Sequence, residues 1–504
     1  MLKIYILLLA SAVLMFHSIS AQQCGTVGVE AEALTARLLQ NKARLAADPV
    51  QSRSAQYVPI RFHLVTKTDG SGGIRLRNIL EQICTLNKDF ATTGIQFYTK
   101  DSINVIKNDI LYTNHYNNLN LMEPYRDRGA INIWMVGDIQ VGSDPNAVVL
   151  GYYTYSRDWL VVLKEEVGAL SCTVGHEMGH FFGLLHTFHG WDADPWSATK
   201  HGNPAPALSP GGIFTEYQNG ENCDSAGDFI CDTPPDYNFG DYWSDCNYNG
   251  GAKDPTGTIV NPAEVNFMGY FFYCQRGMYE FSPNQRDLMF SDVMATNRAY
   301  IRHDFTPAYL QFNGMPILEL PLAGANVPFY NNVDLQWSEV EGATRYLVEI
   351  DVLPTFTSAT LLNYITTTNT INLNKLVPNE TYYWRVRPFN ENYTCTIFTS
   401  RKSFKTNNIA TKIKEISQLN QWRVHPNPIN AGTSLSLLLD VNKQFEAEVQ
   451  LWNLTGQVIQ SWGIQQFKAD RQKHNFTLKN IAAGIYLLTL TTGIERQVQK
   501  IIIQ

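Results

Sequence analysis

The sequence predicts a multidomain protein in which a mixed α/β domain is followed by two all-β sandwich domains. Three observations carry that prediction. The chain has 504 residues, more than one hydrophobic core ordinarily organises. Up to about residue 305, strand-like alternation and helix-like periodicity take turns along the chain. Beyond about residue 308, only short alternating strands separated by turn residues remain, which is the pattern of a sandwich.

The elements follow in order. Residues 1–21 read as a secretory signal peptide: Lys3 precedes an apolar run from Ile4 to Phe16, and Ser18, Ser20 and Ala21 supply small residues for cleavage. That run falls short of the ~20 residues a spanning helix needs, and no transmembrane segment is expected in the mature protein. Residues 22–52 place Leu34, Leu38 and Leu45 at near-helical spacing within 31–46, and in an exported chain such a segment is expected to be a propeptide. The domain 53–305 opens with an alternating strand over 57–65, an amphipathic helix over 74–93 and a further strand over 131–136. Between Trp191 and Asn261, Gly, Asn, Asp and Pro displace all periodicity. Such an irregular subdomain needs disulfides or metal to hold it. In 308–406 the clearest strands are 333–337, 344–350 and 382–388; in 420–504 they are 434–439, 447–452 and 500–503, with a turn at 454–457 and a Gly484-Ile485-Tyr486 stretch.

A net charge of −7 and the absence of a Lys/Arg cluster exclude nucleic acid and anionic membranes as natural partners. Export makes the eight cysteines disulfide candidates. Cys223, Cys231, Cys246 and Cys274 fall in the irregular region, where three pairings are open. Cys84, Cys172 and Cys395 show no obvious partners, and Cys172, one helical turn before His176, reads as a buried apolar residue.

The chemistry is concentrated in His176-Glu177-Met178-Gly179-His180-Phe181-Phe182-Gly183-Leu184-Leu185-His186. Two histidines four apart share a helix face and can reach one zinc ion, while Glu177 between them can act as base towards a water on that ion. Gly183 can leave the helix at positive φ and turn the chain so that His186 becomes a third ligand. Three protein ligands leave a fourth position for water, the mark of a catalytic site. A secreted zinc endopeptidase acting on protein and peptide substrates is the function this constellation predicts. A degenerate protease-like adhesin is the alternative, and against it every ligand and the base are present.

With these motifs, Asn266-Phe267-Met268-Gly269-Tyr270 resembles the Met-turn of metzincins, and Cys223–Pro234, containing Gly227-Asp228 and Asp232-Thr233-Pro234, is similar to a segment of the pappalysin family. His186-Thr187-Phe188 and Phe281-Ser282-Pro283-Asn284-Gln285 fit the same family. The resemblance covers about residues 55–300 and implies a metzincin α/β catalytic domain. It implies Met268 beneath the histidines, Tyr270 supporting the tetrahedral intermediate, and structural calcium at Asp228 and Thr233. It further implies disulfides Cys223–Cys246 and Cys231–Cys274, Cys24 of Cys24-Gly25-Thr26 as a zinc ligand in the zymogen, and cleavage before arginine. Autolysis at Ser52-Arg53 would then mature the enzyme. Trp337, with Leu376-Val377-Pro378 before Tyr382, resembles a fibronectin type III domain with its corner tyrosine. Residues 420–504 resemble the C-terminal sorting domain of type IX secretion, which implies that machinery as partner and a secreted or outer-surface destination.

Overall fold

The computed structural model describes residues 22–24, 29–49, 54–139, 148–240, 243, 245–409, 416–454, 457–479, 481–492 and 495–504. The expected signal peptide, the expected cleavage bond Ser52-Arg53 and Thr455-Gly456 of the expected turn lie outside the described residues, as does the side chain of Cys24.

A seven-stranded sheet forms the frame of the N-terminal domain. Its strands are β1 (Gln22–Cys24), β2 (Gln56–Thr66), β3 (Ile95–Thr99), β4 (Asn104–Lys107), β5 (Ile131–Val136), β6 (Val148–Thr154) and β7 (Trp159–Leu163). The order is β1-β6-β7-β5-β2-β3, and the long β2 also pairs with β4 through its second half. All neighbours run parallel except β6 and β7. Strands buried on both faces are apolar throughout. In β5, Ile131, Ile133 and Met135 enter the main core while Trp134 and Val136 enter a second cluster on the opposite face.

Around the sheet pack α1 (Val29–Ala47), α2 (Leu76–Asp89), α3 (Asp109–Thr113), α4 (Thr173–Phe181), a single turn α5 (Ala198–His201) and α6 (Pro283–Met294). Helix α2 starts and ends inside the 74–93 expected from periodicity, because Phe90 caps it and Gly94 at φ 80° begins the turn into β3. Its Ile79, Leu80, Ile83 and Leu86 share one core with Val174, Met178 and Phe181 of α4. Helix α1 is seated deep in that same core through Leu34 and Leu38. Its Arg37 forms a buried ion pair with Asp292 of α6, to which Asn41 also donates at 3.0 Å.

The region from Trp191 to Asn261 is irregular, as its composition predicts, and gathers its own small core around Trp191, Tyr237, Phe239 and Phe271. Disulfides do hold it, with a different pairing from the one implied by resemblance: Cys223 joins Cys231 and Cys246 joins Cys274. The reason is local. Gly227 at φ 55° and Phe229 at φ 63° reverse the chain twice, returning Cys231 to within 5.0 Å of Cys223 between Cα atoms. Cys84 and Cys395 are also paired, across a separation of 311 residues; Cys172 is free and, where a buried apolar residue was expected, only half-buried.

The second unit contains β8 (Leu318–Leu320), β9 (Ala325–Phe329), β10 (Val333–Trp337), β11 (Arg345–Asp351), β12 (Leu362–Thr366), β13 (Thr370–Leu373), β14 (Thr381–Phe389) and β15 (Lys402–Ile409). Sheets β13-β10-β8 and β12-β11-β14-β15-β9 enclose Trp337 and Trp384. The corner expected at Tyr382 is present: Val377 N donates to its hydroxyl at 2.8 Å. Besides the Cys84–Cys395 bond, this unit meets the first through Arg77 and Glu349 and through Leu347 and Phe389, which join the main core. A third unit is built from β16 (Leu419–His425), β17 (Ser434–Val441), β18 (Phe445–Asn453), β19 (Val458–Phe467), β20 (Asp470–Thr477), β21 (Gly484–Thr492) and β22 (Glu495–Ile503). Its sheets β16-β17-β20 and β19-β18-β21-β22 bury alternate residues such as Leu435, Leu437, Val449 and Leu451.

Candidate metal centre

Helix α4 places His176 and His180 on one face, one turn apart, and ends immediately afterwards. Gly183 then adopts φ 88°, the left-handed conformation its lack of a Cβ permits, and the chain doubles back. The result brings three imidazoles together. Nε2 of His176 lies 3.2 Å from Nε2 of both His180 and His186, and the latter two are 3.1 Å apart. Three nitrogens at 2.0–2.1 Å from a tetrahedral centre stand roughly 3.3 Å from one another. The donor set therefore fits a zinc-sized cation.

Each ligand is fixed from behind by its other nitrogen. His176 Nδ1 bonds Phe267 O at 2.7 Å, His180 Nδ1 bonds Leu184 O at 2.8 Å, and His186 Nδ1 meets Asp192 Oδ1 at 2.6 Å. Such bonds set the tautomer, leaving every Nε2 lone pair directed at the shared centre. Burial also keeps the rings neutral: it pushes the His176 imidazole down to about 3 and His180 well below the ordinary range, with His186 adding to both. Burial alone would raise the Asp192 carboxyl, but its hydrogen bond and charge interaction with His186 hold it below the usual range.

The other expected site residues gather here too. Glu177 is buried beside the ligands and lines, with His176 and Tyr270, a cavity of about 220 Å3. Tyr270 packs against the His186 ring at 5.1 Å between centroids. Met268 lies directly beneath α4, where a Cβ on Gly179 would collide with its sulfur. Its turn is braced by Asn266, which bonds Gln285, and Gln285 with Ser282 forms the capping box of α6. The Phe281–Gln285 stretch thus buttresses the Met268 turn from a distance.

Asp228 and Thr233 lie in the neighbouring loop, which touches the centre's periphery where Phe229 packs against His189. Asp228 Oδ1 accepts from Ile230 N and from Thr233 Oγ1, both at 2.9 Å. Sequence reasoning missed Glu216, which is buried against Gly227 of the same loop. Burial, with the neighbouring Asp228 charge, raises Glu216 to about 10, and burial raises Asp228 to about 8. Asp232 turns away from this group and accepts from Ser282 Oγ and Asn284 N at the start of α6. Asp192 was missed as well, although its position six residues after His186 was a usable signal.

Comparison with known proteins agrees with this geometry. Residues 423–504 match the family described as a secretion system C-terminal sorting domain. An extracellular metalloprotease of Colletotrichum graminicola is 28% identical over 250 residues, covering 46% of this chain and 75% of the relative. Extracellular metalloprotease 1 of Coccidioides posadasii is 25% identical, covering 34% of this chain and 56% of the relative. Fibronectin(III)-like modules of Clostridium thermocellum CbhA align at 13% identity over 38% of this chain and 93% of theirs, with a TM-score of 0.15, too low to decide the fold of any segment.

This is a secreted or cell-surface protein. Its sorting domain is of the kind that directs type IX secretion, and no helix among the described residues is long and apolar enough to cross a membrane. The three-histidine group and these distant relatives support a metalloprotease at the general level, with zinc as the metal.

Proposed function

We propose that this protein is a zinc endopeptidase of the pappalysin family, made as a latent precursor. The observation that carries the reading is the convergence of the three Nε2 atoms of His176, His180 and His186, each with its Nδ1 bonded elsewhere. A zinc ion held there supplies Lewis-acid polarisation of a carbonyl and lowers the pKa of a water beside it. Glu177 takes the proton of the attacking water on its carboxylate and returns it to the departing amine nitrogen. Tyr270, packed on His186, donates its hydroxyl towards the oxyanion as the carbonyl becomes tetrahedral. Hydrolysis of casein that stops on chelation and returns with zinc tests this reading; hydrolysis indifferent to chelation would refute it.

Residues 22–52 form the proposed propeptide. What supports it is the backbone pairing of β1 with β6, which sets Cys24 opposite Gly151, a residue packed on Glu177. The Cys24 thiolate is proposed as a residue that would hold the zinc in the latent precursor, in place of water. Because α1 is anchored by Leu34, Leu38 and the Arg37–Asp292 pair, cutting Ser52-Arg53 frees only one end of the segment.

Calcium is proposed between Asp228, Thr233 and Glu216. The support is chemical: two buried carboxylates and a hydroxyl form a set of hard oxygen donors whose mutual repulsion a divalent cation relieves. The domain boundaries at 53–305, 308–406 and 420–504, and the fibronectin type III assignment of the middle unit, belong to the same proposal.

A further inference from the structure

The cavity that opens on His176 and Glu177 is the place where a substrate side chain beside the scissile bond can be buried. Leu150, Phe267 and Tyr279 give it apolar walls, and Arg276 stands among them. Arg276 is not a free cation. Nη1 and Nη2 donate to the two carboxylate oxygens of Asp89 at the end of α2, Nε donates to Ser171 O at 2.8 Å, and the guanidinium lies over Phe267 at 5.4 Å from the ring centre. Both partners are largely withdrawn from water, with side-chain exposures of 15% and 9%. Besides Glu177, which faces the metal centre, the other acidic wall residue is Glu166, which accepts from Ser171 Oγ at 2.7 Å and Thr173 Oγ1 at 2.8 Å at the start of α4. A helix start is where a negative charge is compensated by backbone N–H groups.

Apart from Glu177, each charge on the cavity wall is thus matched: Arg276 by Asp89 behind it and Glu166 by the hydroxyls at the helix start. A cationic guest would find Asp89 already engaged by Arg276 and would face a like charge. An anionic guest would find the guanidinium already neutralised and would meet Glu166 and Asp89. Burying a charge without a counter-charge is far costlier than burying an uncharged group, and an apolar side chain gains the apolar walls outright. We infer that this cavity is the specificity pocket and that the Asp89–Arg276 pair makes it select uncharged side chains, in place of the arginine implied by family resemblance. This inference rests on the peptidase reading.

The pair also predicts how the preference changes when it is broken. Asp89→Asn leaves the guanidinium unbalanced and should favour Asp and Glu in the pocket position; Arg276→Gln leaves the carboxylate unbalanced and should favour Arg and Lys. Each shift should reach about tenfold or more in relative kcat/KM, because one unit charge has lost its partner in a partly buried site. The test is mass-spectrometric profiling of cleavage sites in a mixed peptide library by the secreted, active protein and both variants, with zinc content and thermal melting checked for each. A merely structural role for the pair would lower all rates together and would not move the two profiles in opposite directions. A basic preference in the wild type overturns the inference, as do unchanged profiles in correctly folded variants. If one variant does not fold, the other and the wild-type profile still decide. If the zinc-loaded wild type cleaves no peptide, the peptidase reading fails and this inference with it.

Discussion

Of the three ligands, His186 alone owes its orientation to a side chain. His176 and His180 lean on the carbonyls of Phe267 and Leu184, which no substitution at those positions removes, whereas His186 Nδ1 depends on Asp192 at 2.6 Å. Asp192 is itself fixed by Gly190 N, which donates to its other oxygen at 2.8 Å. Asp192→Ala should therefore free the His186 ring and leave a buried N–H unsatisfied. Loss of an outer-shell partner of this kind costs about 10–100-fold in metal affinity, or about 1.4–2.7 kcal/mol. Asp192→Asn, which keeps an acceptor oxygen, should lose less. Competition for zinc against a chelator of known affinity measures both, with circular dichroism confirming the fold. An Asp192→Ala protein that holds zinc as tightly as wild type would refute the proposed division of labour among the ligands.

Other predictions address the surroundings. Asp228 and Glu216 have folded-state pKa values above their ordinary ones, so protonation stabilises the cation-free fold. That stability is present in acid and is lost as pH rises through the Asp228 value of about 8. In EGTA the melting temperature should fall between pH 5 and 8, and added calcium should restore most at the upper end; equal melting with and without calcium at pH 8 would rule the site out. Cys84→Ser with Cys395→Ser should leave zinc binding unchanged but let the middle unit part from the first once the chain between residues 302 and 317 is nicked, whereas the wild type stays joined under non-reducing electrophoresis. Deleting residues 423–504 should strand the protein in the periplasm; its normal appearance in the medium would show that export does not depend on that module.

The legible parts of the fold were those whose information is local. Strand β5 was expected at the residues where it forms because its six residues are a short run, apolar except for Asn132, and β10 because apolar and polar residues alternate from Val333 to Trp337. The convergence of His176, His180 and His186 and the turn at Gly183 were legible because helix spacing and one glycine determine their geometry. The Cys84–Cys395 bond was not, since no local pattern links residues 311 apart. The Cys223–Cys231 pairing escaped because it depends on positive φ at Phe229, a residue that rarely adopts it. The Asp89–Arg276 pair joins residues 187 apart, which only the folded chain brings together, and Glu216, though close to Asp228 in sequence, lies in an irregular stretch with no periodicity to show which carboxylates turn inward.

Hydrolysis by Glu177→Ala, measured together with its zinc content, bears most directly on the metallopeptidase reading. Glu177 is buried at the cavity floor beside the ligands and is not one of the three converging nitrogens, so its removal should spare the metal and abolish the proton transfer. The expected result is one zinc per chain and a peptide-bond hydrolysis rate lower by at least about two to four orders of magnitude. A zinc-loaded Glu177→Ala protein that cleaves casein at the wild-type rate would contradict it.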